Sequence, residues 1–144
     1  MSSSDTPKTI LLRGTNTPHS ERVCAEGSIK PGMLVMFDSQ GRFKPHDTAA
    51  GATSPVFACE SSYTGGSIDA DYVQHDTVPA WHAQRGDQVY ALLDTGQNVA
   101  AGALLNSAGD GSLQSGTTNP VARALEAVNN SGGSTHARIK VEVL

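Results

Sequence analysis

Aromatic residues make up only 5% of this 144-residue chain, and charged residues only 17%. A core so poor in rings has to close with small side chains and turns, and association with a partner is one way to recover stability. Long apolar runs are also missing. None approaches the ~20 residues of a membrane helix, so no membrane partner is expected. Met1-Ser2-Ser3-Ser4-Asp5 lacks the positive region and apolar stretch of a secretion signal, which points to synthesis and use in a cytoplasm. There is no run of Lys and Arg, and the net charge is −4. Nucleic acid is therefore excluded as the main partner. Two cysteines, Cys24 and Cys59, are too few for a disulfide framework or a structural zinc site, and their apolar settings read as buried thiols.

Catalytic signatures are equally scarce. The chain has no Gly-x-Ser-x-Gly elbow, no phosphate-binding Gly-x-x-x-x-Gly-Lys loop and no dinucleotide fingerprint. His46-Asp47 and His75-Asp76 spell a dipeptide of metal-dependent phosphohydrolases, but they stand in loop-like sequence and read as solvated loop residues. Asp69, Asp71 and Asp76 lack the glycine and bidentate glutamate of a calcium loop. No metal or other cofactor is expected, and no enzyme.

What the chain does contain is an internal echo. Ile29-Lys30-Pro31-Gly32-Met33-Leu34-Val35 leads through Asp38-Ser39-Gln40-Gly41 to Phe43. Val99-Ala100-Ala101-Gly102-Ala103-Leu104-Leu105 leads through Ala108-Gly109-Asp110-Gly111 to Leu113, 70 positions on and without a gap. Each reads as a glycine turn, a short strand, a hairpin turn and a returning strand. Pro55 to Glu60 and Pro120 to Glu126 continue the echo at a spacing of 66. Gln88 to Leu93 reads as the strand closing the first half, and His136 to Leu144 as the strand closing the second. True duplication and chance likeness among glycine turns both remain open. The expected fold is mainly β: a small single-domain β-barrel or β-sandwich with two pseudo-repeated hairpin units and little helix.

Around this frame several segments invite specific readings. Residues 1–20 are polar apart from one cluster and read as a flexible arm, ahead of a β-rich domain over 21–144. Within the arm, Thr9-Ile10-Leu11-Leu12 is suited to adding a strand to a sheet edge on a neighbour. Pro79 marks Thr77 to His82 as an edge or an irregular strand, where Trp81 is either an interface anchor or a core residue. Tyr63 and Tyr72, flanking Gly65-Gly66, carry the same two readings. Ser67 is placed to cap one helical turn. Ala137, Ile139, Val141 and Val143 alternate with His136, Arg138, Lys140 and Glu142, predicting a strand with one wet face. Asn119-Pro120 followed by Val121 to Ala127 has helical propensity, but the echo assigns a strand there.

Taken in order, these residues resemble the decoration, or cement, proteins of tailed-bacteriophage capsids. The resemblance runs from Ile29-Lys30-Pro31-Gly32 and Gly41 through Gly65-Gly66-Ser67-Ile68-Asp69-Ala70-Asp71-Tyr72 and Gly86-Asp87-Gln88-Val89-Tyr90. It continues through Val99 to Leu105, Gly109-Asp110-Gly111 and Ala124-Leu125-Glu126-Ala127-Val128 to the final strand. It spans roughly residues 23 to 144, in motifs that are individually ordinary. Met33, where an acidic residue is common in such proteins, and Trp81-His82 depart from the pattern. The resemblance implies a non-enzymatic virion protein on the outside of an expanded shell. Its partners would be the phage major capsid protein and copies of itself, a trimer being favoured. Thr9, Ile10, Leu11 and Leu12 would then form a capsid-binding arm, with Tyr63, Tyr72 and Trp81 at an interface. The alternative class is a small β-barrel-sandwich carrier or an accessory domain of an enzyme, although neither hairpin tip offers a lysine for modification.

Overall fold

The structure is a computed structural model that describes residues 6–14, 19–24, 28–61 and 67–144. After β1 (Leu11–Arg13), the chain builds a set of seven strands and then builds it again. The first set is β2 (His19–Val23), β3 (Ser28–Ile29), β4 (Val35–Phe37), β5 (Phe43–Pro45), β6 (Val56–Ala58), β7 (Tyr72–Val73) and β8 (Thr77–His82). The second is β9 (Gln88–Leu93), β10 (Asn98–Val99), β11 (Leu104–Ser107), β12 (Leu113–Ser115), β13 (Ala122–Ala124), β14 (Val128–Asn129) and β15 (Ala137–Val143). No helix occurs among the described residues. The expected helical turn at Ser67 is a plain turn, in which Ser67 Oγ accepts from Asp69 N. Residues 122–124 form a strand, because pairing with Val141 to Val143 satisfies their backbone where a lone helical turn would leave it open.

The second set forms a five-stranded barrel in the order β9-β12-β11-β13-β15, closed by the β9–β15 ladder. The first set runs the same circuit. The β2–β8, β6–β8 and β4–β5 ladders match β9–β15, β13–β15 and β11–β12. The two remaining joints are single bridges, antiparallel Leu34↔Phe57 and parallel Cys24↔Phe43. The latter stands where Leu93↔Leu113 joins β9 to β12 in parallel. Outside the circuit, β3–β7 matches β10–β14. The echo is thus a structural duplication.

The turns match as well as the ladders. Gly32 N donates to Ala58 O at 2.7 Å and Gly102 N to Ala124 O at 2.8 Å. Both glycines have positive φ, 96° and 90°, a region costly for a residue with a Cβ. One expectation needs correction: β9 opens the second half instead of closing the first, and β8 is the counterpart of β15. Composition hid this match, because Pro79 and Trp81 stand where β15 has Lys140 and Glu142.

Each circuit has its own filling. Cys24, Ile29, Val35, Phe43, Val56, Ala58, Val78 and Ala80 are buried together in the first. Their counterparts Leu93, Val99, Leu105, Leu113, Ala122, Ala124, Ile139 and Val141 are buried together in the second. Pleat alternation explains the choice, since every second residue of a strand faces inward.

Candidate functional site

The other face of the first circuit builds the seam between the two barrels. Leu34, Phe57 and Trp81 point out of the N-terminal barrel and are 0%, 0% and 1% exposed. They join the buried cluster that contains Ile10, Tyr90 and the C-terminal barrel core. Backbone hydrogen bonds lock the seam: Leu34 N to Gly111 O at 2.8 Å, Gly111 N to His46 O at 3.1 Å and Ala50 N to Ser107 O at 2.8 Å. Gly111 is needed twice over, by a φ of 87° and because a Cβ there would lie 3.0 Å from Met33 Sδ. His46 is buried at the seam with Nδ1 2.6 Å from Ser107 Oγ, which also accepts from Gly109 N. Burial holds the imidazole below its ordinary pKa of 6.5, against the pull of nearby Asp47.

The structure places most of the residues singled out from the sequence inside the chain's own packing. The described part of the arm is docked on the chain's own sheet. Leu11 pairs with Val89, Arg13 with Gln88, and Ile10 is fully buried. The strand-adding capacity of Thr9 to Leu12 is therefore used inside the chain, and the boundary expected after residue 20 falls within β2. Trp81 is core at the seam instead of an exposed anchor. Tyr72 is also buried, and Tyr63 lies outside the described residues.

Pro79 suggested an edge, yet β8 is the middle strand of β2-β8-β6. The missing N–H is tolerated because it falls one rung past the last β6–β8 pair, Ala58↔Ala80. Cys59 N still donates to Pro79 O at 2.8 Å. The Cys59 carbonyl accepts from Tyr72 Oη at 2.7 Å. At the matching rung of the second barrel, Lys140 N donates to Glu126 Oε2 at 3.0 Å. Glu60, the counterpart of Glu126, has a proline across from it and accepts instead from Ile10 N at 3.3 Å, which ties down the N-terminal segment. Cys24 and Cys59 form no disulfide; Cys24 is buried, and burial pushes the Cys59 thiol up to about 12.

An open polar basin of about 570 Å³ lies beside β15, lined by Lys30, Asp69, Asp94, Asp110, His136 and Arg138 among others. Arg138 crosses between the barrels. Its Nη1 donates to Pro31 O at 2.6 Å and, at 3.4 Å, to Tyr90 O, while Nη2 donates to Ile68 O at 2.5 Å. The sequence alternation assigned Arg138 to a wet face; its side chain is only 15% exposed. Nothing in the local pattern signals this, because the carbonyls it binds come from two loops and a strand distant in sequence. His136 Nε2 lies 3.0 Å from Asp110 Oδ2 and 3.8 Å from Asp94 Oδ1. Burial works against the Asp110 charge, but hydrogen bonds from Ser112 and His136 outweigh it and hold the carboxyl below the usual range. Asp94, Asp110 and His136 are close enough to share a cation; of the three, Asp110 and His136 are hydrogen-bonded to each other, while Asp94 Oδ1 accepts from Thr95 N at 2.8 Å. The aspartates weighed from the sequence do not converge: Asp69 approaches Arg138, Asp71 pairs with Lys30, and Asp76 accepts from Val73 N.

No protein-family model matches this chain, and no curated protein matches it.

Proposed function

We propose that this protein decorates the outside of an expanded tailed-bacteriophage capsid, bridging major capsid subunits without catalysing a reaction. It would act on the virion surface as a small oligomer, a trimer being favoured, after synthesis in the host cytoplasm. One observation supports this reading most. The ordered residues that resemble cement proteins fall on equivalent turns of two copies of one barrel, Gly32 with Gly102 and Gly41 with Gly111. Two barrels joined by a buried, hydrogen-bonded seam hold separate contact surfaces in a fixed relation. A clamp across several subunits needs that rigidity, because each contact then raises the effective concentration of the next. Binding the expanded lattice more tightly than its separated parts stabilises the lattice by linkage.

The test is co-sedimentation of the purified chain with expanded capsids, and separately with unexpanded ones, from its source phage. Saturable binding to the expanded form with delayed thermal rupture is expected. Absence of binding to both would remove the proposal.

A further inference from the structure

The duplication leaves one copy of the seam unused at each end of the molecule. Inside the chain, the N-terminal barrel offers Leu34, Phe57, Trp81 and Ala83 to the seam, all buried. Ladder matching assigns their counterparts on the C-terminal barrel as Leu104, Arg123, Glu142 and Leu144. Leu125, the counterpart of Cys59, lies on the same face. Here Leu125 and Leu144 are 39% and 38% exposed, and Arg123 is exposed. A shallow cleft of about 210 Å³ opens between Arg85, Arg123, Glu142 and Leu144.

The receiving side is left over in the same way. Within the chain, the C-terminal barrel receives its neighbour partly through buried Tyr90 and Ser107. Their counterparts on the N-terminal barrel are Glu21 and Phe37, both exposed, Phe37 at 43%. Arg22 covers part of the Phe37 ring, with its guanidinium carbon 6.0 Å from the ring centroid. Four large apolar residues are exposed among the described residues: Phe37, Val73, Leu125 and Leu144. Three of the four fall on these two leftover faces. Arg123 and Glu142 lie on the giving face and Glu21 on the receiving face.

From this correspondence we infer that copies of this chain associate head to tail. The C-terminal barrel of one copy seats on the N-terminal barrel of the next, by the contact that the two barrels already make within each chain. The occupant of both faces is a second copy, because the only seam that the structure displays for either face is the one between its own barrels. Such a contact is heterologous: it closes into a ring if the rotation permits and extends otherwise. Leu125, Leu144 and Phe37 supply its apolar area, and Arg123 and Glu142, at the places of Phe57 and Trp81, set charge opposite Glu21. The inference gives faces to the oligomer named above, yet it does not depend on the capsid reading, since it is tested without capsids.

The experiment is sedimentation equilibrium of the full chain over a concentration series, with Leu125→Asp and Phe37→Asp as face variants. Concentration-dependent association of the wild type is expected. Each variant should weaken it by about a hundredfold, because the new carboxylate is buried without a partner. An equimolar mixture of the two variants should form a one-to-one complex and stop there, since one retains a sound giving face and the other a sound receiving face. If Phe37→Asp disturbs its stacking on Phe43, 4.9 Å between centroids, the exposed Glu21→Arg replaces it as the receiving-face variant. Paired with Arg123→Glu, it should restore association. A wild type monomeric at every concentration would overturn the inference. So would variants that associate like the wild type, or mixed variants that stay apart while the wild type associates. Failure of capsid co-sedimentation with this behaviour intact would remove the capsid reading alone.

Discussion

Replacing Arg138 by Met keeps much of the stem and removes the guanidinium by which β15 of the C-terminal barrel holds two loops of the N-terminal half. Two of its hydrogen bonds are short, to the carbonyls of Pro31 and Ile68, and a third to Tyr90 is long. A hydrogen bond to a charged group contributes about 1.5–3 kcal/mol net, and the carbonyls left behind in a partly open basin regain some water. The low end of that range for the two short bonds gives a loss of about 3 kcal/mol. For a chain of this size, each kcal/mol lowers the melting temperature by about 2–4 °C, so a fall of about 6–12 °C is expected. The Asp69 pair is a different matter: it is 3.7 Å long and the Asp69 side chain is 79% exposed. Asp69→Asn should therefore cost less than about 0.5 kcal/mol. Arg138→Lys should fall between the two variants, because a single ammonium lacks the planar fork that reaches two carbonyls. Urea unfolding read by Trp81 fluorescence measures all three. If Arg138→Met loses under 1 kcal/mol, or Asp69→Asn loses as much as Arg138→Met, the carbonyl clamp is not what holds this joint.

Tyr72→Phe should cost about 1–2 kcal/mol by leaving the Cys59 carbonyl without its donor. Tyr90→Phe, whose hydroxyl has no hydrogen bond among the described residues, should be near neutral; equal losses in the two would refute the assignment. His46 sets a pH dependence. Its folded pKa lies below the unfolded 6.5, so the stability tied to the neutral ring is full above about pH 6.5 and is lost as pH falls through the folded value. The unfolding midpoint should drop between pH 7.5 and 5, and His46→Gln should flatten that drop. An unchanged slope in the variant would show that another group titrates.

The gap-free match of residues 29–43 with 99–113 was legible as a repeat, because glycine turns and apolar strands leave marks on local sequence. Short-range pattern also carried the β class and the alternation of β15, whereas at 122–124 it favoured a helix and only the echo assigned the strand that the fold forms. It did not carry the pairing of β2 with β8 and β9 with β15, since partners 44 to 62 residues apart need share no composition. Pro79 is the clearest case. Alone it signals an edge, but in the fold it sits centrally, at the one rung where its missing N–H is harmless. Ile10 likewise reads as free to pair with a neighbour until β9 covers it, and the choice between anchor and core for Trp81 stays open until the second barrel covers it. Arg138 and His46 stayed hidden for the same reason, as their partners arrive from other loops. The sequence by itself determined a mainly β chain in which a turn-and-hairpin unit recurs, because hairpin turns and pleat alternation are local; that each unit closes its own barrel came from pairings between distant strands. Only the tertiary structure decided which face of each copy is covered and which is left open, because that depends on how two equal units pack against each other.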